Sequence, residues 1–157
     1  MVTIPGELVR LDLPANPNVV TVARMVVAGA LASARLPLGE RLDDVRLAVT
    51  EACNHVVRRG LMRGAEHRVE VSCTATDRHL EIRVEATFGE AAAKADAVPS
   101  GRAATDLEAE QAWGRELMGA LVDHLDLVDD EQRCAVVLLV AFARDRSPGD
   151  ARSPLTA

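Results

Sequence analysis

The chain has 157 residues, 48% of them hydrophobic, and a formal net charge of -6, which suits a single domain with one core. Its acidic balance argues against a nucleic-acid-binding surface, which needs clustered lysine and arginine in excess, and fits a basic protein partner better. With 2% aromatic residues and no tyrosine, the chain also lacks the rings for a base-stacking platform.

The first part of the chain shows one strand pattern and two helix patterns. Residues 7–13 alternate leucine with charged residues, which predicts a half-buried strand. Asn16 and the proline after it predict the start of a helix over residues 19–35. That helix is apolar around much of its circumference, so we expect it to be buried. A second helix is predicted over residues 40–59, with Gly60 as its C-terminal cap.

The middle of the chain contains a hairpin pattern and a long irregular segment. Apolar residues alternate with polar ones over residues 69–75 and 80–86, on either side of a polar turn, which predicts a β-hairpin. Residues 87–110 lack a sustained period and are predicted to form an irregular lid. Helical periodicity returns over residues 110–124, where we expect Trp113 to anchor the helix in the core.

A second hairpin pattern completes the predicted domain, which spans residues 1–144. Strands are predicted over residues 125–128 and 134–143, and the latter is apolar on both faces, which favours an interior place in the sheet. Residues 145–157 are predicted to be a disordered tail. The order of elements predicts an α/β (α+β) two-layer sandwich, with a mainly antiparallel sheet and the helices on one face.

The cysteines and the hydropathy bear on cellular location. Cys53, Cys73 and Cys134 are odd in number and lack C-x-x-C spacing, so neither a disulfide framework nor a zinc site is expected. The N-terminus has no leader-like pattern, and no stretch has the run of about 18 apolar residues that a membrane span requires. We therefore expect a cytoplasmic protein with no metal site and no membrane association.

The second predicted helix carries a recognisable motif. Its run LDDVRLAVTEACNH, residues 42–55, resembles the N-box helix of the GHKL (histidine kinase-like) ATPases. It is most similar to the RsbW-type anti-sigma-factor serine kinases, where such a run ends in Glu-Ala-x-x-Asn. The hairpin, the alanine-rich lid and the run GREL at residues 114–117 follow in the family's order. The resemblance implies the Bergerat-type sandwich fold, ATP and magnesium as cofactors, and a sigma factor and an anti-anti-sigma antagonist as partners.

The resemblance also implies roles for individual residues. Glu51 matches the glutamate that acts as a base or orients water, so it is the candidate catalytic residue. Four residues later, His55 replaces the magnesium-binding asparagine, and Asn54 is turned by about 100° around the helix. Without the resemblance, Glu51 and His55 are a simple i, i+4 pair. Asn54 and His55 are candidate cofactor-binding residues, and the glycine-rich segments contribute three more, which are Gly89, Gly114 and Arg115.

The nucleotide-binding segments depart from the family's pattern. Ala86, Phe88 and Glu90 occupy positions where the family has Asp, Gly and Gly. Glu116 replaces a further glycine and would set a carboxylate near phosphate, which repels it. We therefore expect an anti-sigma-factor-like protein that binds its protein partners with impaired or lost ATP binding. One alternative is an active serine kinase that uses Glu51 and phosphorylates the antagonist, and another is a non-catalytic binding domain. By analogy with the family, a homodimer is also a candidate assembly.

Overall fold

The computed structural model describes residues 6–63, 67–89 and 102–142, with the backbone alone at residues 102–104. Its strands form one antiparallel sheet in the order β1-β2-β3-β5-β4, so the predicted two-layer sandwich with an antiparallel sheet is confirmed. In chain order the elements are β1 (Gly6–Pro14), α1 (Pro17–Ala34), α2 (Arg41–Met62), β2 (Arg68–Ala75), β3 (His79–Thr87), α3 (Arg102–Leu121), β4 (His124–Asp129) and β5 (Arg133–Ala141).

The alternation along the strands decides which face of the sheet is buried. On β2, Val69, Val71 and Cys73 are completely buried, while the polar residues between them point to the other face. The helices cover the apolar face: α1 contacts β1, α2 contacts β3 and β5, and α3 contacts β4. Strand β5 lies between β3 and β4, which confirms its predicted interior position.

Helix α1 begins with the predicted cap, because the Oδ1 atom of Asn16 accepts a hydrogen bond from the backbone N–H of Asn18 at 2.9 Å. The expectation that the whole helix is buried is wrong. One stripe enters the core, while the opposite side is exposed, with 67% exposure at Met25. A helix in a two-layer sandwich has one side against the sheet and the other towards solvent, whatever its composition. The buried stripe consists of Val19, Ala23, Val27 and Leu31.

Among the described residues, α1 is also the one helix long and apolar enough to cross a membrane, with a mean hydropathy of 1.3 over 18 residues. This corrects the expectation that no stretch reaches such a length. The criterion concerns length and composition alone, and core helices of soluble proteins satisfy it too. Because α1 contributes a stripe to the core, the result is a weak indication of membrane association.

Helix α2 continues past its predicted end, so Gly60 lies inside the helix and is not its cap. A Cβ atom at Gly60 would lie 1.7 Å from the Nε2 atom of His67, so the missing side chain is what allows the imidazole to approach the helix. His67 packs edge-on against Phe88, with ring centroids 5.4 Å apart. The cap is Arg63, whose backbone N–H donates to the carbonyl of Gly60.

Helix α3 differs from its prediction in both extent and register. It begins at residue 102 rather than 110, so residues 102–110 are helical and not part of an irregular lid. The remaining lid residues 90–101 and the predicted tail lie outside the described residues. Gly114 and Met118 are buried, whereas Trp113 is 65% exposed, so the expectation that Trp113 anchors the core is wrong. Adjacent helical positions differ by about 100°, which turns Trp113 away from the core.

Candidate functional site

Helices α2 and α3 bring four of the six predicted site residues together. Glu51, Asn54 and His55 of α2 and Gly114 of α3 line one small cavity. Its volume is about 10 Å³, which is about the space of one water molecule. Pockets that hold ligands of nucleotide size measure roughly 300–1,000 Å³. The other lining residues are Arg58, Glu110 and Gln111.

Helix α3 lies directly on the candidate catalytic residue. A Cβ atom at Gly114 would be 3.2 Å from the Oε2 atom of Glu51, which is a tighter contact than most side chains make. The half-buried carboxylate therefore faces the backbone of α3 at Gly114, a position without a side chain. The Nε2 atom of His55 has no hydrogen-bond partner among the described residues, so it does not form the i, i+4 bond to Glu51 that the spacing suggests.

Two side-chain contacts join α2 and α3 beside the cavity. The guanidinium of Arg58 lies 3.1 Å from the carboxylate of Glu110, and the side-chain amide of Gln111 donates to the sulfur of Met62 at 3.6 Å. Both members of the ion pair are substantially exposed, so the pair contributes less than about 1 kcal/mol. These contacts nevertheless occupy the space between the two helices and leave little room for a ligand.

His55 is buried, with 5% of its surface exposed, and its Nε2 atom has no hydrogen-bond partner. Burial lowers the pKa of this imidazole, the carboxylate of Asp129 opposes that shift, and the guanidinium groups of Arg59, Arg115 and Arg58 add to it. The side chain is therefore neutral near pH 7 and lies in a positively charged neighbourhood. Such surroundings are unfavourable for magnesium, which also prefers oxygen ligands to imidazole.

The structure does not bring Gly89 and Arg115 into the cavity. Arg115 is exposed on α3 and influences His55 through its charge alone. Gly89 is exposed after the end of β3, next to Phe88, whose ring packs under the guanidinium of Arg63 at 4.3 Å. Ala86, which replaces the adenine-reading carboxylate of the resembled family, is 1% exposed and belongs to the core.

A magnesium–nucleotide complex does not fit the residues in this arrangement. The cavity between α2 and α3 is too small, and an ion pair spans the gap between these helices. A buried alanine also stands where the resemblance implies the adenine-reading carboxylate. Residues 6–63, 67–89 and 102–142 also contain no group of three His, Cys, Asp or Glu side chains placed to hold a metal ion.

Three lining residues escaped the sequence analysis: Arg58, Glu110 and Gln111. Arg58 lies seven residues after Glu51 and so shares its side of the helix. This spacing is the sequence signal that identifies Arg58 as a neighbour of the site. Glu110 was assigned to the last position of the lid, and its pairing with Arg58 depends on where α3 begins.

The comparison with known proteins identifies the fold. A family model described as a histidine kinase-like ATPase domain matches residues 13–141. The match extends from the end of β1 to the end of β5, so it includes all three helices and the cavity between α2 and α3. No curated protein matches the chain.

Proposed function

Because the chain belongs to the histidine kinase-like ATPase family, we propose that it is an anti-sigma-factor-like regulatory protein with impaired or lost ATP binding. The observation that carries the proposal is the contact of α3 with α2, which reduces the site to about 10 Å³. The described residues form the five-stranded sheet and three helices of the sandwich, while the positions that the family uses to contact a nucleotide are altered. That pattern favours a protein that kept its binding surfaces and lost its cofactor.

The altered positions would greatly weaken affinity for ATP. Five family contacts are replaced, at Ala86, Phe88, Glu90, Glu116 and His55. At about 1 kcal/mol or more for each lost contact, the five replacements would offset most of the roughly 8 kcal/mol to which micromolar affinity corresponds. Binding between proteins uses surfaces outside the cavity beside Glu51 and so does not require a bound nucleotide.

The exposed side of α3 is the surface that we assign to the sigma factor. Trp113 is 65% exposed, and tryptophan is enriched among residues that dominate binding energy. Asp106 and Glu116 are exposed at spacings of seven and three residues from Trp113, so they flank it on the same side of the helix. An indole among carboxylates suits a basic partner surface. We assign the protein to the cytoplasm, with an anti-anti-sigma antagonist as a second partner.

Calorimetric titration of the nucleotide-stripped protein with ATP and magnesium tests the proposal, together with thermal melts. A nucleotide at 100 times its dissociation constant would stabilise the native state by about 2.7 kcal/mol, and we expect no such shift. At least one sigma factor encoded in the source genome should bind the protein in the absence of ATP. Glu51→Ala should leave that binding intact, and Trp113→Ala should weaken it tenfold or more. Leu61→Ala, at another exposed large apolar residue, is the control.

Two results would contradict the proposal. Micromolar ATP binding, with phosphate transfer to an antagonist that Glu51→Ala abolishes, would identify an active serine kinase. Failure to bind any of the sigma factors, in the absence of ATP binding, would favour a non-catalytic binding domain with other partners.

A further inference from the structure

The outer surface of the helical layer contains a groove between α1 and α2. Its volume is about 450 Å³, and it shares no lining residue with the cavity beside Glu51. Apolar and small side chains supply much of the surface, and arginine side chains from both helices border it. The lining residues are Arg24, Met25, Ala28, Arg46, Leu47 and Thr50.

The apolar part of this groove continues onto an exposed face of α1. Met25 is 67% exposed, Val22 43% and Leu47 42%, although large aliphatic side chains of this kind usually lie in the core. Arg24 is the one charged residue in the sequence of α1. Contiguous apolar surface bordered by polar groups is typical of a protein-binding site. The buried stripe already accounts for the packing of α1 in the domain, so the exposed face is available to a partner.

The charges of the groove are opposite to the net charge of the chain. The chain carries -6 overall, yet both charged residues that line the groove are arginines. In the part of the chain that the structure describes, Arg24 forms no ion pair. Arg46 pairs with Asp43 at 3.2 Å, yet 41% of its side chain remains exposed. The groove therefore offers guanidinium donors that an external carboxylate could satisfy.

We propose that this groove binds an amphipathic helix of another protein, with an apolar stripe for Met25 and Leu47 and carboxylates for Arg24 and Arg46. A groove between two helices suits a helical ligand with anchors at i, i+3, i+4 and i+7. A second copy of the chain fits less well, because a symmetric dimer would set the two arginine-bordered grooves against each other. The partner is acidic and the surface is separate from Trp113, so the proposal extends beyond sigma-factor binding.

Three synthetic helical peptides test the proposal. Each has about 18 residues, or five turns, and all three share one leucine stripe. Their flanking positions carry glutamate, glutamine or lysine, and fluorescence anisotropy measures their binding to the full chain. The glutamate peptide should bind with micromolar affinity, and the other two should bind at least tenfold more weakly. Arg24→Glu and Met25→Glu should each weaken the glutamate peptide tenfold or more. Both residues are exposed, and circular dichroism checks that the variants fold.

Arg78→Glu is the matched control, since Arg78 is an exposed arginine in the β2–β3 turn, and it should leave peptide binding unchanged. The proposal is overturned if no peptide binds, or if the lysine peptide binds as well as the glutamate peptide. It is also overturned if light scattering detects a dimer that Met25→Glu dissociates, since a second copy would then cover the groove. Binding to phosphatidylglycerol vesicles that Met25→Glu abolishes would assign the face to a membrane surface instead.

Discussion

Substituting aspartate for Val49 tests the register of α2 against the sheet. Val49 is completely buried in the core, so the change removes about 1.5–3 kcal/mol of apolar burial. It also buries a carboxylate, which costs several kcal/mol more without a partner. Cys53, four residues later, lies in the same buried environment, which raises the pKa of its thiol to about 12. Since small domains are stable by about 5–15 kcal/mol, we expect Val49→Asp to be largely unfolded.

Urea denaturation followed by circular dichroism provides the measurement. Val49→Ala, which removes the same apolar atoms without adding a charge, should remain folded with a loss of about 2 kcal/mol. Glu51→Ala should stay within about 1 kcal/mol of the unaltered protein, because Glu51 is half-buried and its carboxylate has no hydrogen-bond donor among the described residues. Equal denaturation midpoints for Val49→Asp and Glu51→Ala would refute the register of α2.

Two further predictions concern the dependence of stability on pH. Burial lowers the pKa of His55, so the unfolded chain takes up this proton first and stability falls as the pH drops below about 6.5. His55→Gln should reduce that loss, measured as urea midpoints above and below this pH, and an unchanged loss would contradict the assignment. The guanidinium of Arg41, 2.9 Å from the carboxylate, and the backbone N–H of Ala141 lower the pKa of Asp123. The stability that Asp123 contributes is therefore present above about pH 3.8 and is lost as the pH falls through the lowered pKa. Asp123→Asn should flatten the acid limb of the stability curve by less than about 1 kcal/mol, since both partners are exposed.

The strands and the N-box helix could be predicted because each carries its own local signal. Alternation of Val69, Val71 and Cys73 with polar residues specifies both the strand and its buried face. Asn16 identifies the start of α1 through a hydrogen bond that spans two residues. The family resemblance of this helix likewise identified Glu51, Asn54 and His55 as candidate site residues, and the structure places all three at one cavity.

The errors concern glycines and the register of α3, where the deciding partner lies far away in the sequence. Gly60 resembles a helix cap, yet its role is to admit His67. Gly114 adds nothing to a hydrophobic pattern, so the periodicity favours Trp113 next to it, although Gly114 is the residue that lies against Glu51 of α2. The closure of the cavity depends on the contact between Gly114 and Glu51, and no local pattern encodes that distance.

Strand β1 limits self-association of the chain through this edge of its sheet. β1 is an edge strand, and its pairing with β2 shifts register between Glu7 and Val9. On its outer face, Arg10 lies 2.6 Å from the carboxylate of Glu70, and Asp12 accepts from Arg68 at 2.7 Å. A strand from another molecule would meet an irregular row of backbone groups and would have to desolvate these charges. The edge is thereby protected against amyloid-like stacking, even in a chain whose strands are rich in valine and leucine.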